Sequence, residues 1–441
     1  MSDSVKPDSV STSYGGHFNV LTKNVNTDNH SNESGSTNQI GIKKSSIPSN
    51  FRFWEAVGKK TTTGGDASNN FKFTVLSYNV LAQYLLECHP YLYTECSPTN
   101  LKWKIRSARI FDEIISISPD IICLQEVQAT HLNTFYSQFD AMGYCGIFKQ
   151  KTGHRIDGCA IYFKKSLFKI EDHFSVEFYQ PELPILNRDN IGVMVKLVPH
   201  SMPNSPVVVA TTHLLYNPKR TDVRLAQIQV LLAEIDRFAF YQNGNLTGHL
   251  PIILTGDLNS TPDSAVIKLL DKGRVRASPF RDSSDWQRIG VTDNCQHLSV
   301  FLDRQEGRVT DFSNIKIQNS DYHYDMNEPI ASCSRTDTAL HEALYSELFN
   351  SGVIGHNLQL ISTYDKIKSD GSVEASTFQD YWVTVDYIYF SRLSGLNLLE
   401  RLRLPTAEEC QVLGVLPNEV FGSDHLALAA SFELRPQKAN L

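Results

Sequence analysis

The stretch PIILTGDLNS, Pro251 to Ser260, decides how the rest of the chain is read. Its first half is apolar and branched, as a buried strand requires, and its second half clusters Gly, Asp, Asn and Ser, which stop a strand at a turn. In extended chain, residues two apart point the same way, so Asp257 and Asn259 are expected to face one spot together. A carboxylate so placed holds or deprotonates water, and an amide beside it donates hydrogen bonds to a phosphate oxygen. A second run, GSDH at Gly422 to His425, brings another carboxylate and an imidazole to the start of an apolar strand. Together the two runs are equipment for cleaving a phosphate ester. Taken alone, the first also suits an ordinary turn ahead of Pro262.

Outward from this run the chain alternates strands with helices. FTVLSYNV ends near Asn79; Leu101 to Ile117 carries apolar residues at helical spacing until Pro119; DIICLQEV reads as a buried strand closed by Glu126. A helix-like segment at about 130–141 follows, then strands at Tyr144–Lys149, Asp157–Phe163, Ile191–Val198 and Val207–His213, and a helix from Thr221 to Phe240. The strand 251–257, a helix near Ser264–Leu270, and strands at 383–390 and Leu426–Leu434 complete the order. Such an order predicts an α/β protein with two sheets packed together and helices outside.

Residues 1–50 are rich in Ser, Asn, Thr and Gly and cannot recover the entropy of ordering, so a disordered tail is expected. FRFWEAVG is a short aromatic element before a polar spacer at 61–70, and the catalytic domain runs from 71 to 436. The polar stretch 273–380 is read as a long insertion, with an irregular loop at Phe301–Ser320, a helix at Asp337–Leu348 and part of it rimming the site.

Composition narrows the classes. Lys and Arg total 41 against 48 Asp and Glu, a net charge of −7, which excludes a broadly cationic nucleic-acid coat; a polyanion is met by a local patch or a bound metal. Two short basic groups, Lys149, Lys151, His154 and Arg155, and Lys219, Arg220 and Arg224, are candidates for that patch or are solvated faces. The eight cysteines include no C-x-x-C pair and are read as reduced and structural. No apolar run is long enough to span a bilayer, and the N-terminus lacks the pattern of a secretory or mitochondrial leader. The expectation is a cytoplasmic protein, also nuclear, without membrane contact and monomeric by default.

Single polar residues have bland readings too. Glu126 alone suits a solvated strand end and His213 a strand-end histidine. If the strands ending at Asn79 and Glu126 are neighbours, their oxygens converge as ligands for a hard cation such as Mg²⁺. Asp386, inside VTVDYIYF, needs a partner, and a histidine whose charge it stabilises is the obvious one. His425 beside Asp424 is suited to that place.

The succession SYNVL, LQEV, THLLYNP, GDLNS, VDYIYF and SDH resembles the endonuclease, exonuclease and phosphatase superfamily over about Phe71 to Leu434. Within it, LLECHPYLY, LKWKIR, KTGHRIDGCAI, NRDNIGV and THLLYNPKR resemble the Angel proteins, relatives of nocturnin and of poly(A)-shortening nucleases of the carbon-catabolite-repressor type. The resemblance implies a four-layer α-β-β-α sandwich of the DNase I-like kind, with the site at one end of the two sheets. It implies that Glu126 binds metal, with Asn79 at the metal and phosphate and Asp424 in the metal-side acid cluster. It implies that His213 contacts the scissile phosphate, that Asp257 beside Asn259 orients or deprotonates water, and that His425, paired with Asp386, stabilises the phosphate. The implied cofactor is Mg²⁺, one ion or two, with Mn²⁺ as a substitute.

In the related deadenylases a proline and an aromatic sandwich a base; the matching positions are Pro218 and Tyr381, the latter equally read as a packed member of its aromatic run. The Angel resemblance implies hydrolysis of a 2′,3′-cyclic phosphate at an RNA 3′ end. A 3′–5′ poly(A) exonuclease is the alternative on the same core, and a non-catalytic mRNA or translation adaptor the alternative of another class. An mRNA-associated partner bound through the N-terminal tail is expected on the adaptor reading, although the tail lacks a Tyr-x4-Leu-apolar element. Small phosphoesters are a third substrate class in the superfamily.

Overall fold

In the computed structural model, alternation along each strand builds four layers. The structure describes residues 47–48, 51–57, 70–244, 246–281, 283–305, 346–392 and 394–436. Numbered in chain order, the strands of its two large sheets are β1 (Trp54–Ala56), β2 (Phe71–Asn79), β3 (Ile121–Gln128), β4 (Tyr144–Gln150), β5 (Asp157–Lys164), β6 (Phe168–Glu177), β7 (Ile191–Pro199), β8 (Val207–His213), β9 (Ile252–Asp257), β10 (Leu360–Ser362), β11 (Asp386–Ser391), β12 (Leu396–Leu402) and β13 (Leu428–Leu434). One sheet has the order β1-β12-β13-β2-β3-β5-β4 and the other β10-β11-β9-β8-β7-β6.

Successive side chains leave opposite faces of a strand. Val75, Cys123, Ile161, Val193, Val209, Ile253, Ile388 and Phe432 therefore meet in a core between the sheets. Their neighbours Leu76, Ile122 and Leu124 pack outward against Ile110, Ile114 and Phe139, on the helical segments Trp103–Ile117 and Ser137–Ala141. On the opposite side Val208, Ala210 and Leu254 pack against Leu225, Ile228, Leu232 and Leu269, on the helices Thr221–Ala239 and Ala265–Lys272. The protein is a four-layer α-β-β-α sandwich.

Two pairs, β2 with β3 and β8 with β9, are parallel within otherwise antiparallel sheets. Asn79, His213 and Asp257 end β2, β8 and β9, and Asp257 stands in register with both His213 and Asp386, the first residue of β11. Both sheets thus deliver polar residues to one edge of the sandwich.

Several local expectations shift. The segment at 130–141 is a 3₁₀ turn (Ala129–His131), a π turn (Leu132–Tyr136) and a short α-helix (Ser137–Ala141). The strand expected over 383–390 starts at Asp386, because Tyr381–Val383 pairs instead with Thr377–Gln379 in a hairpin. β6 and β12 were not expected at all: the charges of KIED mask the alternation of β6, and NLLERL has a helix former's composition. The tail at 1–50 except residues 47–48, the spacer except residue 70, and most of the loop expected at Phe301–Ser320 and of the helix expected at Asp337–Leu348 lie outside the described residues; within them, 301–305 are helical where a loop was expected and 346–348 are helical as expected. Described parts of the stretch 273–380 include the helix Leu298–Gln305. Among the described residues seven cysteines are free, five of them buried, and no helix is long and apolar enough to cross a membrane.

Candidate active site

Glu126 does not close its strand. β3 continues to Gln128, and Glu126 sits on a bulge between Gln125 and Val127 with φ +59°. A bulge re-aims the side chain that a regular ladder would bury, and a left-handed non-glycine residue is held there by its surroundings. Glu126 Oε2 accepts from the Ala82 amide at 2.9 Å and Oε1 from Asn79 Nδ2 at 3.1 Å. The expected convergence of oxygens is therefore modified: Asn79 Oδ1 accepts from the Leu81 amide at 3.0 Å, and it is the amide nitrogen that faces the carboxylates.

The centre of the site is one atom, Asp257 Oδ2. Asn79 Nδ2 lies 3.0 Å from it, His213 Nε2 3.6 Å and His425 Nε2 3.8 Å. The other oxygen, Oδ1, accepts from the Asn259 backbone amide at 2.9 Å. Asn259 does not share the outlook of Asp257, because the strand has ended. At φ +46° its side chain turns back to donate to the Leu214 carbonyl at 3.0 Å, which ties the loop after His213 to the loop after β9.

His425 and Asp386 form the pair expected of a buried carboxylate, with Nδ1 2.8 Å from Oδ2. Ser376 donates to the same Asp386 oxygen at 2.6 Å, leaving Nε2 of His425 turned toward Asp257. Burial opposes charge on His425, but Asp386, Asp424 and Asp257 together outweigh it and raise the imidazole well above the ordinary histidine value. His213 goes the other way: burial, then Lys151 and His425, hold it well below that value, so it is neutral at pH 7. Burial and then repulsion by Asp386 raise Asp257 to about 7. Two histidines and one carboxylate within 4 Å thus take three different protonation behaviours from three environments.

Asp424 lies 3.9 Å from His425 Nε2, and its Oδ2 accepts from the buried hydroxyl of Tyr93 at 2.9 Å. Burial raises the Glu126 carboxyl, and repulsion by Asp424 and Asp157 adds to this. Hard oxygen donors that repel one another in a buried site suit a divalent cation. Glu126 and Asp424, close enough to repel each other, are the oxygen donors this side of the site offers one. Among the described residues Asp257, Asp386 and His425 bring their ligand atoms within 4.8 Å of one another, but the imidazole of that group is already engaged with Asp386.

Pro218 and Tyr381 are both exposed. Trp382 takes the packed place that was the other reading of Tyr381, and it meets Phe378 edge-on at 5.4 Å. The two basic groups are largely neutralised. Lys149 pairs with Glu177, Lys151 with Asp157 at 2.7 Å, Arg220 with Asp222 at 2.9 Å, and Arg155 lies 3.9 Å from Asp189. Arg224 is buried and donates to the carbonyls of Leu215, Asn217 and Pro218.

One supporting residue was not singled out from the sequence. Arg106 is fully buried and donates to the carbonyls of Val80 and Leu81, to Gln83 and to Gly422. It staples the loop beyond Asn79 to the loop carrying Asp424 and His425. An arginine at an inward position of an otherwise apolar helix face is the signal that marks it.

Residues 76–425 match the model of the Endonuclease/Exonuclease/phosphatase family. The chain is 34% identical over 407 residues to protein angel homolog 2 of Bos taurus, covering 84% of this chain and 70% of the relative. It is 33% identical over 450 residues to protein angel homolog 1 of Rattus norvegicus, covering 87% and 67%. Among solved structures it is similar to ANGEL2, described as a 2′,3′-cyclic phosphatase, in complex with adenosine-2′,3′-vanadate, at a TM-score of 0.68 and 31% identity over 87% of this chain and 98% of that one. The chain belongs to the endonuclease/exonuclease/phosphatase family and, within it, to the Angel proteins.

Proposed function

We propose that this protein is a Mg²⁺-dependent phosphodiesterase that opens a terminal 2′,3′-cyclic phosphate at an RNA 3′ end and leaves a phosphomonoester. The observation that carries the reading is the ring of Asn79, His213 and His425 within 4 Å of a single Asp257 oxygen, on a chain similar to a structure that holds an adenosine-2′,3′-vanadate. A vanadate ester of this kind imitates five-coordinate phosphorus.

Asp257, raised to about 7, holds the attacking water and takes its proton near neutral pH. As the new P–O bond forms and one ring P–O bond breaks, the imidazolium of His425, fixed by Asp386, gives the Nε2 proton to the leaving ring oxygen. Neutral His213 and Asn79 donate hydrogen bonds to the nonbridging oxygens. A Mg²⁺ ion, or Mn²⁺ in its place, would be held by Glu126 and Asp424, with Asn79 beside it, and would supply neutralisation of charge on the phosphoryl oxygens. Pro218 and Tyr381 flank the terminal base.

The test uses purified protein with Mg²⁺ and two RNAs, one ending in a cyclic phosphate and one in oligo(A) with a free 3′ hydroxyl. Opening of the ring without loss of length is expected, and Asp257→Asn is expected to slow it about 100-fold or more. Shortening of the oligo(A) ladder with the cyclic end untouched establishes the deadenylase instead. Unchanged activity in Asp257→Asn overturns the assignment of the base.

A further inference from the structure

Two exposed tyrosines on segments hydrogen-bonded to site residues are used neither by the core nor by the catalytic ring. Tyr216 is 50% exposed and Tyr91 66%. Each is held on rigid backbone joined directly to a catalytic residue. Tyr216 follows His213 by three residues; the Leu214 amide donates to the Asp257 carbonyl at 3.0 Å, and the Leu214 carbonyl accepts from Asn259. Leu215 is then clamped from both sides, its amide donating to Gln227 at 3.0 Å and its carbonyl accepting from Arg224. Arg224 also binds the Asn217 carbonyl, so both peptide neighbours of Tyr216 are fixed while its ring stands in solvent.

Tyr91 lies in the 3₁₀ turn Pro90–Tyr93, which Tyr93 anchors to Asp424 at 2.9 Å. The edge of the His89 ring supports it, with centroids 5.9 Å apart. The two segments are thus tied to Asp257 and Asp424, whose oxygens lie 3.8 and 3.9 Å from the same His425 nitrogen. Asp380 is the turn, at φ +59°, of the hairpin that carries Tyr381. That hairpin is tied to the site by Thr377 Oγ1 donating to the Asp424 carbonyl at 2.8 Å. Three exposed tyrosines therefore stand on three separately anchored loops around one acidic centre.

An apolar ring with a polar tip, held on fixed backbone and open to water, is suited to stacking a nucleobase with little ordering cost. Lys219, three residues beyond Tyr216 and exposed, makes no ion pair with a described residue, unlike Lys149, Lys151 and Arg220. We infer that Tyr216 and Tyr91 are specificity-determining residues that stack the bases immediately upstream of the terminal nucleotide, so that the enzyme selects single-stranded oligonucleotide ends over mononucleotides. This rests on the proposed cyclic-phosphodiesterase activity, and it assigns the upstream bases to side chains other than Pro218 and Tyr381.

The experiment compares kcat/KM of the full chain on a tetranucleotide and on a mononucleotide, each ending in a 2′,3′-cyclic phosphate. Wild type is expected to prefer the tetranucleotide by about tenfold or more, the size of one or two stacked bases. Tyr216→Ala and Tyr91→Ala are each expected to lower this ratio about fivefold or more through KM, and Tyr216→Phe to keep it. A wild-type ratio near one, or a ratio unmoved by both alanine variants, overturns the inference. In parallel, fluorescence anisotropy with chelator present measures binding of a labelled tetranucleotide ending in a 3′ phosphate. If wild type opens neither cyclic substrate, the functional reading fails, and the anisotropy decides the stacking: weaker binding by the alanine variants supports it and equal binding rejects it.

Discussion

At Gly256 the backbone stands at φ +146°, and a methyl group there would lie 2.1 Å from the Thr212 carbonyl oxygen. Asp257, His213 and Asp386 are brought into register by the strands that this close approach joins. Gly256→Ala is expected to cost about 2–4 kcal/mol, because the strain and the overlap with a backbone atom cannot be relieved by a rotamer change. A urea titration reads this as a lower midpoint with an unchanged slope, and a midpoint within error of wild type contradicts it. The residue scale also shows where sequence reasoning stopped. That Asp257 ends a buried strand follows from PIIL before it and NS after it. That its Oδ2 collects Asn79, His213 and His425 does not, because those groups arrive from two other strands and from the loop before β13.

The helix Thr221–Ala239 ends in a polar network away from the catalytic edge. Glu234 contacts His297 and Arg237, each at 2.9 Å, and Asp236 contacts His249 at 2.9 Å and Arg304 at 2.7 Å. His297 and Arg304 belong to the segment that includes the helix Leu298–Gln305, so two buried carboxylates hold that segment on the domain. Burial alone raises both carboxyls, but His297 with Arg237, and His249 with Arg304, more than offset it and hold both below the usual range. The native state therefore binds fewer protons than the unfolded chain. Its advantage is complete above about pH 4 and is lost as pH falls through the lower native values. Hydrogen exchange, corrected for its intrinsic pH dependence, is expected to show amides of Leu298–Gln305 losing protection below about pH 4 before those of β8 and β9. Equal loss in both places rejects a local role for the network. The sequence indicated a distinct stretch at 273–380 through its weak periodicity, but not its anchor, since the charges of Glu234 and Asp236 read locally as a solvated helix face.

On the scale of the whole molecule, the acidic cluster couples the two sheets. Glu126 comes from one sheet and Asp257 from the other, and Asp424 arrives on the loop before β13. A cation held by Glu126 and Asp424 binds the folded state alone and stabilises it by mass action, by about 2.7 kcal/mol at a hundredfold excess over its dissociation constant. Adding Mg²⁺ to chelator-treated protein is expected to raise Tm by several degrees, and Glu126→Ala to abolish the rise. Asp386→Asn, on the far side of the histidine, is expected to keep it. A Mg²⁺ shift undiminished in Glu126→Ala places the ion elsewhere.

The sequence by itself indicated two packed sheets with helices outside, because apolar strand runs and helical runs follow one another along the chain. It also placed Asn79, His213 and Asp257 at strand ends, but not Glu126, which sits on a bulge, or Asp386, which begins its strand. The tertiary structure decided where these groups point. Glu126 is aimed by a bulge opposite β5, Asn259 turns away in a left-handed conformation, and Tyr93 reaches Asp424 across 331 residues of chain. It also decided which charges remain available, since Lys151 and Arg220 are neutralised by partners inside the fold. Direction and charge at a strand end depend on contacts between distant segments, and only the folded chain supplies those.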